Sequence, residues 1–110
     1  MSKPAYMVVD ARSSDPERMV EYRRLAQLAV EHFGGRYLVR GAPYVTLEGN
    51  WQPQRVVVLE FPSMDAARKF YDSPEYGVAR KAREGVSDFD MLLVEGYVSV
   101  PSGGDGIPGY

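Results

Sequence analysis

Arg55-Val56-Val57-Val58-Leu59-Glu60-Phe61 is the most strongly β-branched segment of the 110-residue chain, and it reads as a strand. What decides the architecture is that Val56 to Leu59 is apolar without alternation, and that Met91-Leu92-Leu93-Val94 repeats the feature in a second strand spanning Met91 to Tyr97. A strand of an antiparallel sheet with one wet face alternates apolar and polar residues, so both faces of these two strands need cover.

Upstream, Gly49-Asn50-Trp51-Gln52-Pro53 supplies a hairpin connection. Before it, Arg36 to Arg40 alternates with Tyr37 and Val39 on one face, and Tyr44 to Glu48 alternates again after Gly41-Ala42-Pro43. The two pieces predict a single kinked strand, placed at a sheet edge because proline there forfeits no ladder hydrogen bond. Further upstream, Tyr6 to Asp10 predicts the first strand. Asp15-Pro16 predicts a helix start, with Met19, Tyr22, Ala26, Ala29, Val30 and Phe33 as its apolar stripe and Gly34-Gly35 as its stop. Downstream, Ser63 predicts the cap of a second helix striped by Ala66, Ala67, Phe70 and Tyr71, and Ser73-Pro74 restarts helical structure through Tyr76, Val78, Ala79 and Ala82.

The resulting order β-α-β-β-α-β is the split β-α-β arrangement: a ferredoxin-like α+β sandwich, with both helices on one face of a four-stranded antiparallel sheet. It occupies residues 1–98, and the glycine-, proline- and serine-rich residues 99–110 are expected to form a flexible tail. The chain is of one-domain size. With no spare element to act as a lid, the uncovered sheet face is expected to meet a second copy of itself in a two-fold homodimer. The rival use of such a face, stacking of nucleic-acid bases, calls for aromatics on the central strands where this chain has valines, and no basic patch accompanies them.

Net charge is −2, which asks for no polyanionic partner. No apolar run exceeds five residues, far below the roughly 18 that span a bilayer, and the first residues lack the pattern of a secretory signal. A cytoplasmic protein with no membrane partner is expected. Cysteine is absent and histidine occurs once, which removes thiolate sites and a typical zinc site. No phosphate loop and no Gly-x-Gly-x-x-Gly are present, so no cofactor is expected.

Several segments taken together are similar to one family: Ala5-Tyr6, Gly34-Gly35-Arg36-Tyr37-Leu38-Val39-Arg40-Gly41, Leu47-Glu48-Gly49, Glu60-Phe61-Pro62-Ser63 and Tyr71-Asp72-Ser73-Pro74-Glu75-Tyr76. They resemble the bacterial domain of unknown function 1330 family, within the dimeric α+β barrel superfamily, from Pro4 to about Val98. The resemblance implies a ferredoxin-like dimer and carries over no catalytic residue. Cofactor-independent monooxygenases and small-molecule isomerases occur in the wider superfamily, and activity does not travel with fold.

Candidate site residues are few. His32, in the last turn of the first helix, is a candidate proton shuttle because histidine as a residue type titrates near neutrality, but it has first of all the place of a surface residue favoured by a helix's negative end. Arg36, Arg40, Tyr44 and Glu48 share one strand face if the break at Gly41 keeps phase; Arg40 is then the cation of a ligand cleft and Arg36 a solvated edge charge. Tyr22, Tyr71 and Tyr76 either line that cleft or pack in the core. Trp51 is expected against the dimer partner, and Arg80, Lys81 and Arg83 on a solvated helix face. The expected pocket set is therefore His32, Arg40, Tyr22, Glu48 and Tyr76, around a small, partly apolar metabolite, with acid/base or oxygen chemistry that needs no cofactor. The alternative is a non-enzymatic dimerisation or ligand-sensing module, and the residues do not say whether the chain is an enzyme. A ligand-sized cavity would favour the first reading, and a cleft filled by Tyr22, Phe70 and Tyr71 the second.

Overall fold

The computed structural model describes residues 3–99. Seven elements run in the order β1 (Ala5–Ser13), α1 (Pro16–His32), β2 (Arg36–Arg40), β3 (Val56–Phe61), α2 (Met64–Tyr71), α3 (Pro74–Ala82) and β4 (Ser87–Glu95). The strands form one antiparallel sheet in the order β2-β3-β1-β4, the ferredoxin-like arrangement. The expected tail, apart from Ser99, lies outside the described residues. No helix among those described is long and apolar enough to cross a membrane.

The helix starts follow from their caps. The side chains of Asp15, Ser63 and Ser73 accept from the backbone N–H groups of Arg18, Ala66 and Tyr76, which satisfies one otherwise orphaned donor at each N-terminus. Gly34 closes α1 at φ +79°, and Gly35 N–H returns to the Val30 carbonyl at 2.9 Å.

Register separates the two faces of the sheet. Met7 lies between Leu59 and Leu93, and Val9 between Val57 and Met91; these residues face the helices. Val8 lies between Val58 and Leu92 and faces the other way. The helix side is the core, with Phe61, Phe70, Tyr76 and Val30 almost wholly buried. On the outer side Leu92 and Val94 remain 59% and 46% exposed, so a Val39-Val58-Val8-Leu92 row crosses all four strands without cover from this chain.

The kinked edge strand is half right. Arg36 to Arg40 pairs with β3, but Tyr44 to Glu48 is loop. Gly41, at φ +72°, gives the last bond of the ladder to the Val56 carbonyl at 2.8 Å, and the chain then turns away. The loop closes on itself: the Tyr44 hydroxyl donates to the Pro53 carbonyl and the Thr46 hydroxyl to the Trp51 carbonyl, both at 2.7 Å. The expected phase also fails. A register shift between Tyr37 and Val39 sets Tyr37 opposite Leu59, Val39 opposite Val58 and Arg40 opposite Val57. Tyr37 and Val39 thus lie on opposite faces, and so do Arg36 and Arg40, because a bulge flips everything beyond it. Finally, β4 starts at Ser87 rather than Met91, because β1 continues to Ser13 and pairs there with Ser87.

Candidate functional site: an apolar cleft with a cationic mouth

Between the sheet and the helices α1 and α3 lies a cleft of about 280 Å³, just below the usual ligand-pocket range of roughly 300–1,000 Å³. Its floor is the helix-facing register of the sheet: Met7, Val9, Val57, Leu59 and Met91. Met19, Ala26 and Val30 form the α1 wall, and Phe70 and Phe89 complete the apolar lining. The stripe of α1 and the two-residue period of β1, β3 and β4 therefore converge on one space, with small Ala26 where a larger side chain would fill it.

One polar pair lies in this lining. The hydroxyls of Tyr22 on α1 and Tyr76 on α3 are 2.9 Å apart. Tyr76 is buried at the centre of an aromatic cluster, 4.5 Å from the Phe70 ring and 5.6 Å from Tyr71, while Tyr22 meets Phe89 edge-on at 5.5 Å. Burial, then the neighbouring Tyr76, push the Tyr22 hydroxyl well above its ordinary pKa of 10, so it stays a phenol through the whole ordinary pH range. In such a pair one hydroxyl donates to the other, and the acceptor's own proton is left over. No third partner holds that proton among the described residues.

The mouth is positive. Arg23 from α1, Arg40 from the end of β2 and Arg55 just before β3 line it, with Tyr37, Gln54 and Ser13. Arg40 is aimed by two neighbours: its Nη1 donates to Gln27 Oε1 at 2.9 Å, and its guanidinium lies over the Tyr37 ring at 4.1 Å. Arg55 rests against Gly41, where an added Cβ would collide with its guanidinium. None of the lining residues is acidic.

A family described only as a domain of unknown function, DUF1330, matches residues 4–97. The chain belongs to that family. No curated protein matches the DUF1330 chain. Solved structures share its fold at low identity. A protein of unknown function from Rhodopseudomonas palustris is 21% identical, covering 90% of this chain and 86% of its own, with a TM-score of 0.69. SnoaB, a cofactor-independent oxygenase from Streptomyces nogalater, is 13% identical over 92% of this chain and 100% of its own, with a TM-score of 0.60. A hypothetical Arabidopsis thaliana protein is 15% identical, covers 93% of both chains and also scores 0.60. The DUF1330 chain thus has the ferredoxin-like fold of the dimeric α+β barrel proteins.

The five residues expected at a pocket part company. Tyr22, Tyr76 and Arg40 line the cleft. His32 does not; it is 66% exposed at its side chain, stacks on Phe33 and pairs through Nδ1 with Glu75 at 3.1 Å, tying the end of α1 to the start of α3. Glu48 lies exposed in the loop after β2, because that segment never rejoins the sheet. Arg36 pairs with Glu60 at 2.7 Å on the outer face. Trp51 is exposed and its indole N–H donates to Asp10 at 3.4 Å. Tyr71 carries the Arg80 guanidinium over its ring, and Arg83 covers Phe89 at 4.0 Å. Two arginines of the mouth went unread in the sequence, although each had a signal. Arg23 falls on the Met19-Tyr22-Ala26-Val30 stripe, and Arg55 is in phase with Val57, Leu59 and Phe61.

Proposed function

We propose that this chain is a cytoplasmic, homodimeric small-molecule-binding protein whose ligand places an apolar body in the sheet–helix cleft and a polar group against the Tyr22–Tyr76 hydroxyl pair. The observation that carries the reading is the cleft itself: a space with an apolar floor and walls, a polar mouth and, in its lining, a hydroxyl pair with one proton left unspent. The homodimer is supported by the uncovered Val39-Val58-Val8-Leu92 row: leaving such side chains wet forfeits roughly 1.5–3 kcal/mol each relative to full burial.

Binding is favoured over proton abstraction. Among the described residues the lining holds no carboxylate and no imidazole, and Tyr22 stays protonated. The groups present donate hydrogen bonds and offset negative charge; none accepts a proton at neutral pH. If a bound molecule reacts with oxygen, as the name of the Streptomyces nogalater relative indicates for that protein, this cleft's share is to stabilise a substrate that is already ionised.

The test is fluorescence titration with N-phenyl-1-naphthylamine, an uncharged dye that brightens in apolar sites, against the native protein and Ala26→Phe. Ala26 is 3% exposed and lines the cleft, so the added ring occupies the space. Saturable binding by the native protein, weakened at least about tenfold in a variant that keeps its circular dichroism, is expected. Equal binding by both overturns the reading, as does no binding by the native protein.

A further inference from the structure

We infer that the ligand is a carboxylate, its apolar body in the cleft and its carboxylate gripped at the mouth by Arg23, Arg40 and Arg55. This rests on the small-molecule reading above and adds the chemical class of the ligand.

Three guanidinium groups from three separate segments converge on one small opening that no acidic residue lines among the described residues; Glu31 accepts from the same Gln27 amide to which Arg40 donates, without joining the lining. Elsewhere among the described residues some cations are paired with a carboxylate and others, among them Arg18, Arg68, Arg80, Lys81 and Arg83, are not, so what sets the three apart is their convergence on one opening. Arg12 meets Asp10, Asp88 and Asp90; Arg24 meets Glu21, Arg36 meets Glu60 and Lys69 meets Asp65. Among the described residues no carboxylate pairs with Arg23, Arg40 or Arg55. Arg40 is positioned instead by a neutral amide and a ring face, which fix its direction without cancelling its charge. Arg55 shows the consequence: burial, and then the charges of Arg23 and Arg40, pull its pKa below the ordinary arginine value. Like charges held together are a standing cost that a bound anion removes.

The seat is also built. Gly41 has a positive φ and its missing Cβ leaves the space that the Arg55 guanidinium fills, while the bulge after Tyr37 turns Arg40 to the cleft side of the sheet. A planar fork of N–H donors matches a carboxylate's two oxygens better than it matches any neutral group.

The probes are 2-naphthoate and its uncharged near-isostere 2-naphthamide, each displacing the naphthylamine dye from the native protein, Arg23→Met and Arg55→Met. Hydrogen bonds to a charged group are stronger than those to a neutral one, so naphthoate is expected to bind at least about tenfold more tightly than naphthamide. That preference should shrink to within about twofold in each variant, with retained circular dichroism showing that the variants are folded. Equal competition by the two probes, failure of naphthoate to displace bound dye, or a preference that survives both substitutions overturns the carboxylate and leaves the apolar cleft standing. Failure of the dye to bind at all removes the cleft reading and this inference with it.

Discussion

Replacing Gly41 with alanine asks two things of one position, and a thermodynamic cycle with Arg55→Met separates them. The backbone there is at φ +72°, where an L side chain costs about 1–2 kcal/mol. The second demand is steric: the new Cβ falls on the Arg55 guanidinium. Because that is the far end of a flexible side chain, the arginine moves rather than the backbone, and what is lost is its place at the cleft mouth. In the native background Gly41→Ala should therefore lower stability by about 1–2 kcal/mol in urea denaturation and cut naphthoate affinity as far as Arg55→Met does. With Arg55 already methionine, the stability cost of the backbone remains but naphthoate binding should not fall further. The binding effects of the two substitutions should thus be non-additive by at least about 0.5 kcal/mol, the coupling typical of residues in contact. Additive losses of affinity, or full naphthoate affinity in Gly41→Ala, would refute the idea that the glycine exists to seat Arg55.

Two further outcomes follow from the same geometry. Tyr22 has a raised pKa, so on raising the pH the unfolded chain ionises first, at about 10, and binds fewer protons than the native one. Stability is then lost from pH 10 upward, at up to about 1.4 kcal/mol per pH unit for one such group; Tyr22→Phe should flatten that slope in denaturation series at pH 9 to 11, and an unchanged slope would assign it to other groups. Leu92→Asp, on the exposed outer row, should give a monomer by native mass spectrometry and still bind the dye; a variant that remains dimeric would move the interface elsewhere.

Much of the fold was legible because its signals are local. A capping side chain, with a proline after it or without one, needs no tertiary context, and Asp15-Pro16, Ser63 and Ser73-Pro74 all mark true helix starts. The two-faced apolar runs likewise marked β3 and β4 as strands of the sheet, although β3 lies inside it and β4 at its edge. What escaped was phase. Nothing in Arg36-Tyr37-Leu38-Val39-Arg40 announces a bulge, because alternation survives in the letters while the pairing with β3 slips. Arg40 reached the cleft by that slip, not by the continuous strand face expected to bring Glu48 along with it. His32 escaped differently: position at a helix end says where a side chain starts, and Glu75, far off in sequence, decides where it goes.

The slip in β2 also bears on what the sheet can recruit at its margins. A margin strand with free N–H and C=O groups invites another chain to continue the sheet sideways without limit. Here one margin is only five residues long, interrupted at Leu38 and ended by Gly41, and the other, β4, carries Asp88, Asp90 and Glu95. Both are poor templates for lateral growth. The apolar surface that is left is a broad flat side instead of a rim, and in the proposed dimer an encounter through such a side would be finished once two copies had met, which would turn a hydrophobic surface from an aggregation hazard into a self-limiting one.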